Sequence, residues 1–155
     1  MNILVFMATL LFGFALGFFL YEVKRYKVGG VIAIPLLVIY TLQDVAILPV
    51  FIVSALVCLF VMQAVAEKTL LYGRRLLYGY LGVSILASGA IIELVSFVYA
   101  LHLEEIIIFT IFPGIIAYNI AKESYTVESG FQSAGMLALN FAAVYLFAVG
   151  LSAIV

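Results

Sequence analysis

Residues 45–66 read VAILPVFIVSALVCLFVMQAVA, without a single charged side chain. Crossing a bilayer takes roughly 20 predominantly apolar residues, and this stretch is long enough. It predicts a transmembrane helix. Pro49 lies near its start, just after Asp44, where proline costs least.

On either side of it, charged residues cut the chain into further apolar blocks, near 3–21, 28–42, 76–101, 106–121 and 129–155. Counted along the chain with 45–66 as the third of six, the first, fourth and sixth are long enough to span. The second and fifth are short, and each holds a proline: Pro35 in one, Pro113 followed by Gly114 in the other. The first block has no positive charge before it and is followed by Lys24, Arg25 and Lys27. That is a stop-transfer layout and predicts a retained span rather than a cleaved leader. The composition agrees: 68% of residues are hydrophobic and 10% charged, against roughly 45–50% and 25% in soluble domains. The expected fold is all-α and integral to a membrane, one polytopic domain over residues 1–155 with about six crossings.

The charges set the topology. With six crossings, Lys24, Arg25, Lys27, Lys68, Arg74, Arg75 and Lys122 all fall in the first, third and fifth loops, and these are all the Lys and Arg in the chain. Asp44, His102, Glu104 and Glu105 fall in the other two. The positive-inside rule then places the basic loops in the cytoplasm and both termini outside. Re-entrant short blocks would move Arg74 and Arg75 to the outer face and destroy this sorting. Most tyrosines, Tyr21, Tyr26, Tyr40, Tyr72, Tyr78, Tyr99 and Tyr125 among them, lie near block ends, where aromatic belts belong.

The two halves, about 1–75 and 76–155, resemble each other weakly. Tyr40 follows Pro35 at the spacing by which Tyr118 follows Pro113. Phe19-x-Tyr21 matches Phe97-x-Tyr99 in the same register, and Ser54-Ala55 matches Ser133-Ala134 with a one-residue slip. A chance match between apolar segments is the competing reading. Three spans per half is an odd number, so a true repeat is inverted. Paired short, proline-interrupted helices then point to a midplane site. On that reading Pro35 and Pro113 lie at a common depth across a pseudo-two-fold axis, with Asn119 and Glu93 close to the Pro113 break.

Candidate chemistry is sparse. Proline removes a backbone donor, so carbonyls near Phe109 and Thr110 need partners from protein, cavity or ligand; a packing kink is the plain alternative. Glu93 is the one acid well inside a block, where a charge costs about 2.5–3.5 kcal/mol, unless it is protonated or tipped to the interface. Asn119, Gln132 and Asn140 suit interhelical hydrogen bonding. Gly130, Ala134, Ala138 and Ala142 form one small face, and Gly13-x-x-x-Gly17 another; both signal close helix packing. The loop from Glu67 to Arg75, with Tyr72, Arg74 and Arg75, is the most polar part of the cytoplasmic side. An arginine fork binds carboxylate or phosphate, although composition alone favours topogenic charge plus contact with lipid headgroups. Cys58 is the lone cysteine and His102 the lone histidine, so no disulfide framework and no metal cluster is expected. No nucleophile set, phosphate loop or paired-carboxylate site is present, no cofactor is expected, and no basic run suggests nucleic acid.

Leu71-Tyr72-Gly73-Arg74-Arg75, then Phe112-Pro113-Gly114-Ile115-Ile116-Ala117-Tyr118-Asn119 and the following Lys122, resemble the capsule-biosynthesis C family. This family is the small membrane subunit of bacterial poly-γ-glutamate synthesis. Gly29-Gly30-Val31-Ile32-Ala33-Ile34-Pro35 is similar to its first proline element, with Leu36 where the family usually has a second glycine. The resemblance runs from about Lys24 to the C-terminus. It implies a plasma-membrane subunit beside a cytoplasmic ATP-dependent amide ligase and a membrane-anchored extracellular partner, handling an acidic polymer. An independent small transporter or channel and a structural membrane scaffold are the alternatives.

Overall fold

In a computed structural model the chain is described for residues 3–24, 32–69, 71–97, 108–123 and 127–154. Arg25, Tyr26, Lys27, Gly29, Gly30, Tyr99, His102, Glu104, Glu105 and Tyr125 lie outside these residues, so the expectations resting on them do too. The described elements are helices: α1 (Ile3–Lys24), α2 (Ala33–Gln43), α3 (Ile47–Lys68), α4 (Gly73–Ser96), a 3₁₀ turn (Ile108–Ile111), α5 (Phe112–Glu123) and α6 (Val127–Ser152).

Four helices are long and apolar enough to cross a membrane, in α1, α3, α4 and α6. Their outer surfaces bear this out. Leu11, Phe60, Leu86 and Leu146 are each about 70% exposed or more, an arrangement that suits lipid and not water. The two short blocks give α2, of 11 residues, and α5, of 12. At 1.5 Å per residue these rise only about 16 and 18 Å, short of the roughly 30 Å hydrocarbon core.

The prolines correct the expectation of broken helix interiors. Pro35 is the third residue of α2, Pro113 the second of α5, and Pro49 the third of α3. Every proline of the chain therefore sits in a first helical turn, where the missing N–H has no intrahelical partner anyway. The apolar block hides this, because hydropathy does not register where a 3₁₀ turn hands over to an α-helix.

The chain forms two compact units. One comprises Met1–Ile47 and Asn119–Val155, the other Leu48–Tyr118. In the first, α1, α2 and α6 each pack on the other two. Its core is Ile34, Val38, Val144 and Ala148, flanked by Phe12, Leu16, Leu137 and Phe141. Phe12 stacks on Phe147 with centroids 4.1 Å apart. Gly13 and Gly17 are buried, and a Cβ on Gly13 would run into the Pro35 ring, so this small face meets α2 of the same chain. The small face of α6 does not pack this way: Ala134, Ala138 and Ala142 are exposed, while Ser133, Asn140, Val144 and Ala148 are buried.

In the second unit, α3, α4 and α5 come together. Tyr80, Ser84, Ser88 and Ile92, one residue in four, are the buried row of α4. The Cys58 thiol donates to the Tyr80 carbonyl at 3.2 Å, and Gly79 leaves room for the Met62 side chain. Cys58 is thus a small, buried core residue, as its apolar neighbours suggest.

Candidate functional site

The start of α5 is built around one side chain that sequence reasoning missed. Ser84 Oγ donates to the Thr110 carbonyl at 2.5 Å and accepts the Gly114 N–H at 2.8 Å. A hydroxyl can do both at once. From α4 it therefore satisfies an amide in the first turn of α5, as a capping side chain does. The Thr110 carbonyl and the Gly114 amide, which meet where the 3₁₀ turn becomes α-helix, are thus joined through protein. Gly114 is required by the closeness of the contact: a Cβ there would stand 2.7 Å from Ser84 Cβ and 2.7 Å from the Tyr80 carbonyl oxygen. Tyr118, one turn further on, meets Tyr80 edge-on at 5.9 Å. Hence α5 runs down α4 from Ser84 towards Tyr80, in the direction of Arg75 and Arg74.

The structure groups the expected site residues only in part. Pro113 and Gly114 are buried against α4, and Pro35 is buried against α1. The two prolines belong to different units. Asn119 is half-buried, five residues beyond Gly114 on α5. Glu93 is exposed. It follows Ser84 by about two and a half helical turns, so the side chains meeting Gly114 are Ser84 and Tyr80 rather than Glu93. One signal in the sequence could have pointed to Ser84: Tyr80, Ser84 and Ser88 recur every four residues, one face of a helix.

The polar end is different. Tyr72 is 69% exposed, and Arg74 and Arg75 are exposed beside it. Gly73 has φ of +56°, a left-handed backbone that side chains other than glycine seldom adopt. This explains the glycine between Tyr72 and Arg74, since the chain turns there into α4. Arg74 and Arg75 occupy the first turn of α4, which contains no acidic residue and no side-chain cap. Among the described residues neither arginine forms a hydrogen bond or an ion pair. Lys68 ends α3 four residues before Tyr72; Lys122, in the last turn of α5, belongs to the other unit. Two guanidinium forks and an uncapped helix start present donors suited to carboxylate or phosphate.

Further buried polar atoms stand without partners: Thr9 Oγ1 and Asn140 Oδ1 in the first unit, Ser54 Oγ and Ser88 Oγ in the second. No group of His, Cys, Asp and Glu that could hold a metal occurs among the described residues.

Long apolar helices with lipid-suited outer faces define the class: an all-helical membrane protein. The family Capsule biosynthesis CapC matches residues 12–129, and the chain belongs to that family. The match includes the Tyr72–Arg75 turn, the Pro113–Gly114 junction and Lys122. No curated protein and no solved structure matches the chain.

Proposed function

We propose that this chain is the multi-pass membrane subunit of a poly-γ-glutamate synthase and exporter in a bacterial plasma membrane. It works beside a cytoplasmic ATP-dependent amide ligase and a membrane-anchored extracellular subunit, and it assists movement of the polyanion without a catalytic set of its own. The observation that carries the reading is the pair Arg74–Arg75, exposed in an uncapped first turn that contains no acidic residue. Such a pair is suited to the carboxylates of a growing chain or of the ligase surface. Membership of a capsule-biosynthesis family supports it.

The same proposal keeps six crossings with both termini outside. The 3₁₀ turn and α5, laid end to end, rise about 26 Å, close to a hydrocarbon core. Two inverted three-helix repeats fit the burial pattern. Pro35, Val38 and Ile39 of α2 are buried, as are Pro113, Ile116 and Ala117 of α5 in the same register, and Tyr40 and Tyr118 are half-buried in both. The units fit as well, if the repeats exchange third helices: α6 joins α1 and α2, and α3 joins α4 and α5. A self-sufficient transporter is the weaker reading, because Ser84 already joins the Thr110 carbonyl and the Gly114 amide, two groups at the Pro113 junction that a substrate could use.

The test is replacement of Arg74 and Arg75 together by Lys in cells that make polymer. Charge and topology signals persist, but the planar forks are lost. Polymer output is expected to fall at least tenfold at unchanged membrane abundance. Unchanged output would leave the arginines with a topogenic role only.

A further inference from the structure

The two sides of α4 have different fates. One side carries the buried row from Tyr80 to Ile92. On the other, Gly82, Leu86, Gly89 and Glu93 are all exposed, Leu86 at 76%. Their alternation of four and three residues is the seam of a left-handed helix pair.

The glycines on this seam are not needed for a close approach by any described residue of the chain. A Cβ on Gly82 or on Gly89 would meet nothing within 4 Å, and neither has a positive φ. Gly114 of α5 differs, because it faces a neighbour at 2.7 Å. An interior helical glycine costs about 1 kcal/mol relative to alanine. In membranes, small residues on a helix surface let another backbone approach closely. Glu93 adds a second, independent observation. A carboxylate on the lipid side of a span is costly, and among the described residues no donor reaches the Glu93 carboxylate.

We propose that the Gly82–Leu86–Gly89–Glu93 seam of α4 docks a transmembrane helix of a different protein, one that presents a basic side chain to Glu93. Charge complementarity selects this occupant. A second, like-oriented copy of this chain would set Glu93 against Glu93 at one depth. The cations on α4, Arg74 and Arg75, lie near its other end, Arg75 about 27 Å of helix away. A basic partner neutralises the carboxylate, and the glycines let its backbone come close enough to do so. Gly135 and Gly150 of α6 are equally open, but no charged residue on that helix's described surface specifies what would cover them. The proposal requires that α4 crosses the bilayer. It does not depend on the polymer being polyglutamate.

The experiment places a photo-crosslinking residue at Leu86, or at Phe60 of α3 as an equally exposed control, in cells producing the complete system. The Leu86 adduct is expected to exceed the Phe60 adduct at least tenfold. Its partner peptide, once sequenced, should lie in a membrane span containing Lys or Arg. Glu93→Lys should lower the adduct about tenfold, and changing the partner's basic residue to Glu in that background should restore it. Gly89→Leu, for which this chain has room, should remove the adduct while the purified chain keeps its thermal stability; it carries the test if Glu93→Lys fails to accumulate. Equal labelling at Leu86 and Phe60, an adduct of twice the chain's mass, a partner span without a basic residue, or a full-strength adduct in Gly89→Leu each overturns the proposal. No polymer assay enters, so failure of the proposed substrate leaves the result standing.

Discussion

Replacing Gly114 by Ala tests whether α5 rests on α4 through Ser84. The added Cβ would lie 2.7 Å from the Tyr80 carbonyl oxygen, 2.7 Å from Ser84 Cβ and 3.1 Å from the Tyr80 carbonyl carbon. Comfortable carbon contacts are about 3.5–4.0 Å, so the overlap approaches 1 Å. Part of it is with backbone, which cannot rotate away. Relief requires α5 to retreat by about that distance, which stretches the 2.8 Å bond from Gly114 N–H to Ser84 beyond useful length. Overpacking of this kind costs about 1–3 kcal/mol, and an interhelical hydrogen bond in a membrane protein is worth on average about 0.6 kcal/mol. Against this stands a gain of up to about 1 kcal/mol for replacing a helical glycine. The net expectation is destabilisation of about 1–3 kcal/mol. Gly82→Ala is the matched reference, since its Cβ meets nothing, and it should be neutral or stabilising by up to about 1 kcal/mol. Unfolding of both purified variants by a denaturing detergent, followed by circular dichroism, measures the difference. If Gly114→Ala proves as stable as Gly82→Ala, α5 does not sit against α4 in this way.

Two further outcomes follow from buried hydroxyls and from charge. Ser84→Ala strips a partner from Gly114 N–H and from the Thr110 carbonyl, and should cost about 1–3 kcal/mol, whereas Ser54→Ala removes a hydroxyl without a partner and should be neutral or mildly stabilising in the same unfolding assay. For topology, an Arg74→Cys protein should resist an impermeant thiol reagent applied outside intact cells and react once the membrane is opened; the buried Cys58 gives little background, and labelling from outside would reverse the proposed orientation.

Much of this molecule is legible in one dimension. Residues 45–66 are predominantly apolar and carry no charge, and nothing but a bilayer accommodates four long apolar stretches in so short a chain, so the membrane class follows from composition and length alone. The sorting of Lys and Arg is likewise a property of sequence order. The glycine at position 73 is visible there too, but its left-handed backbone, which lets Tyr72 lead directly into Arg74 and Arg75, is read only from the fold. Helix interiors are another matter. Hydropathy treats Ile106 to Ala121 as one block, although the chain changes from 3₁₀ to α-helix inside it, because both forms hide the same apolar side chains. The proline at 113 looked like a break in a helix and is the start of one.

Only tertiary structure decided what meets that start. Ser84 is 30 residues from Gly114, and no local rule links them; the pairing exists because α4 lies beside α5 and a hydroxyl can accept and donate at once. The glycines make the same point. In the sequence Gly13, Gly82, Gly89 and Gly114 are equivalent small residues. In the fold Gly13 faces Pro35, Gly114 faces the Tyr80 carbonyl, and Gly82 and Gly89 face nothing in the chain. A small side chain permits close approach, but which backbone approaches is set by packing between distant segments, and packing is not written in the order of the residues.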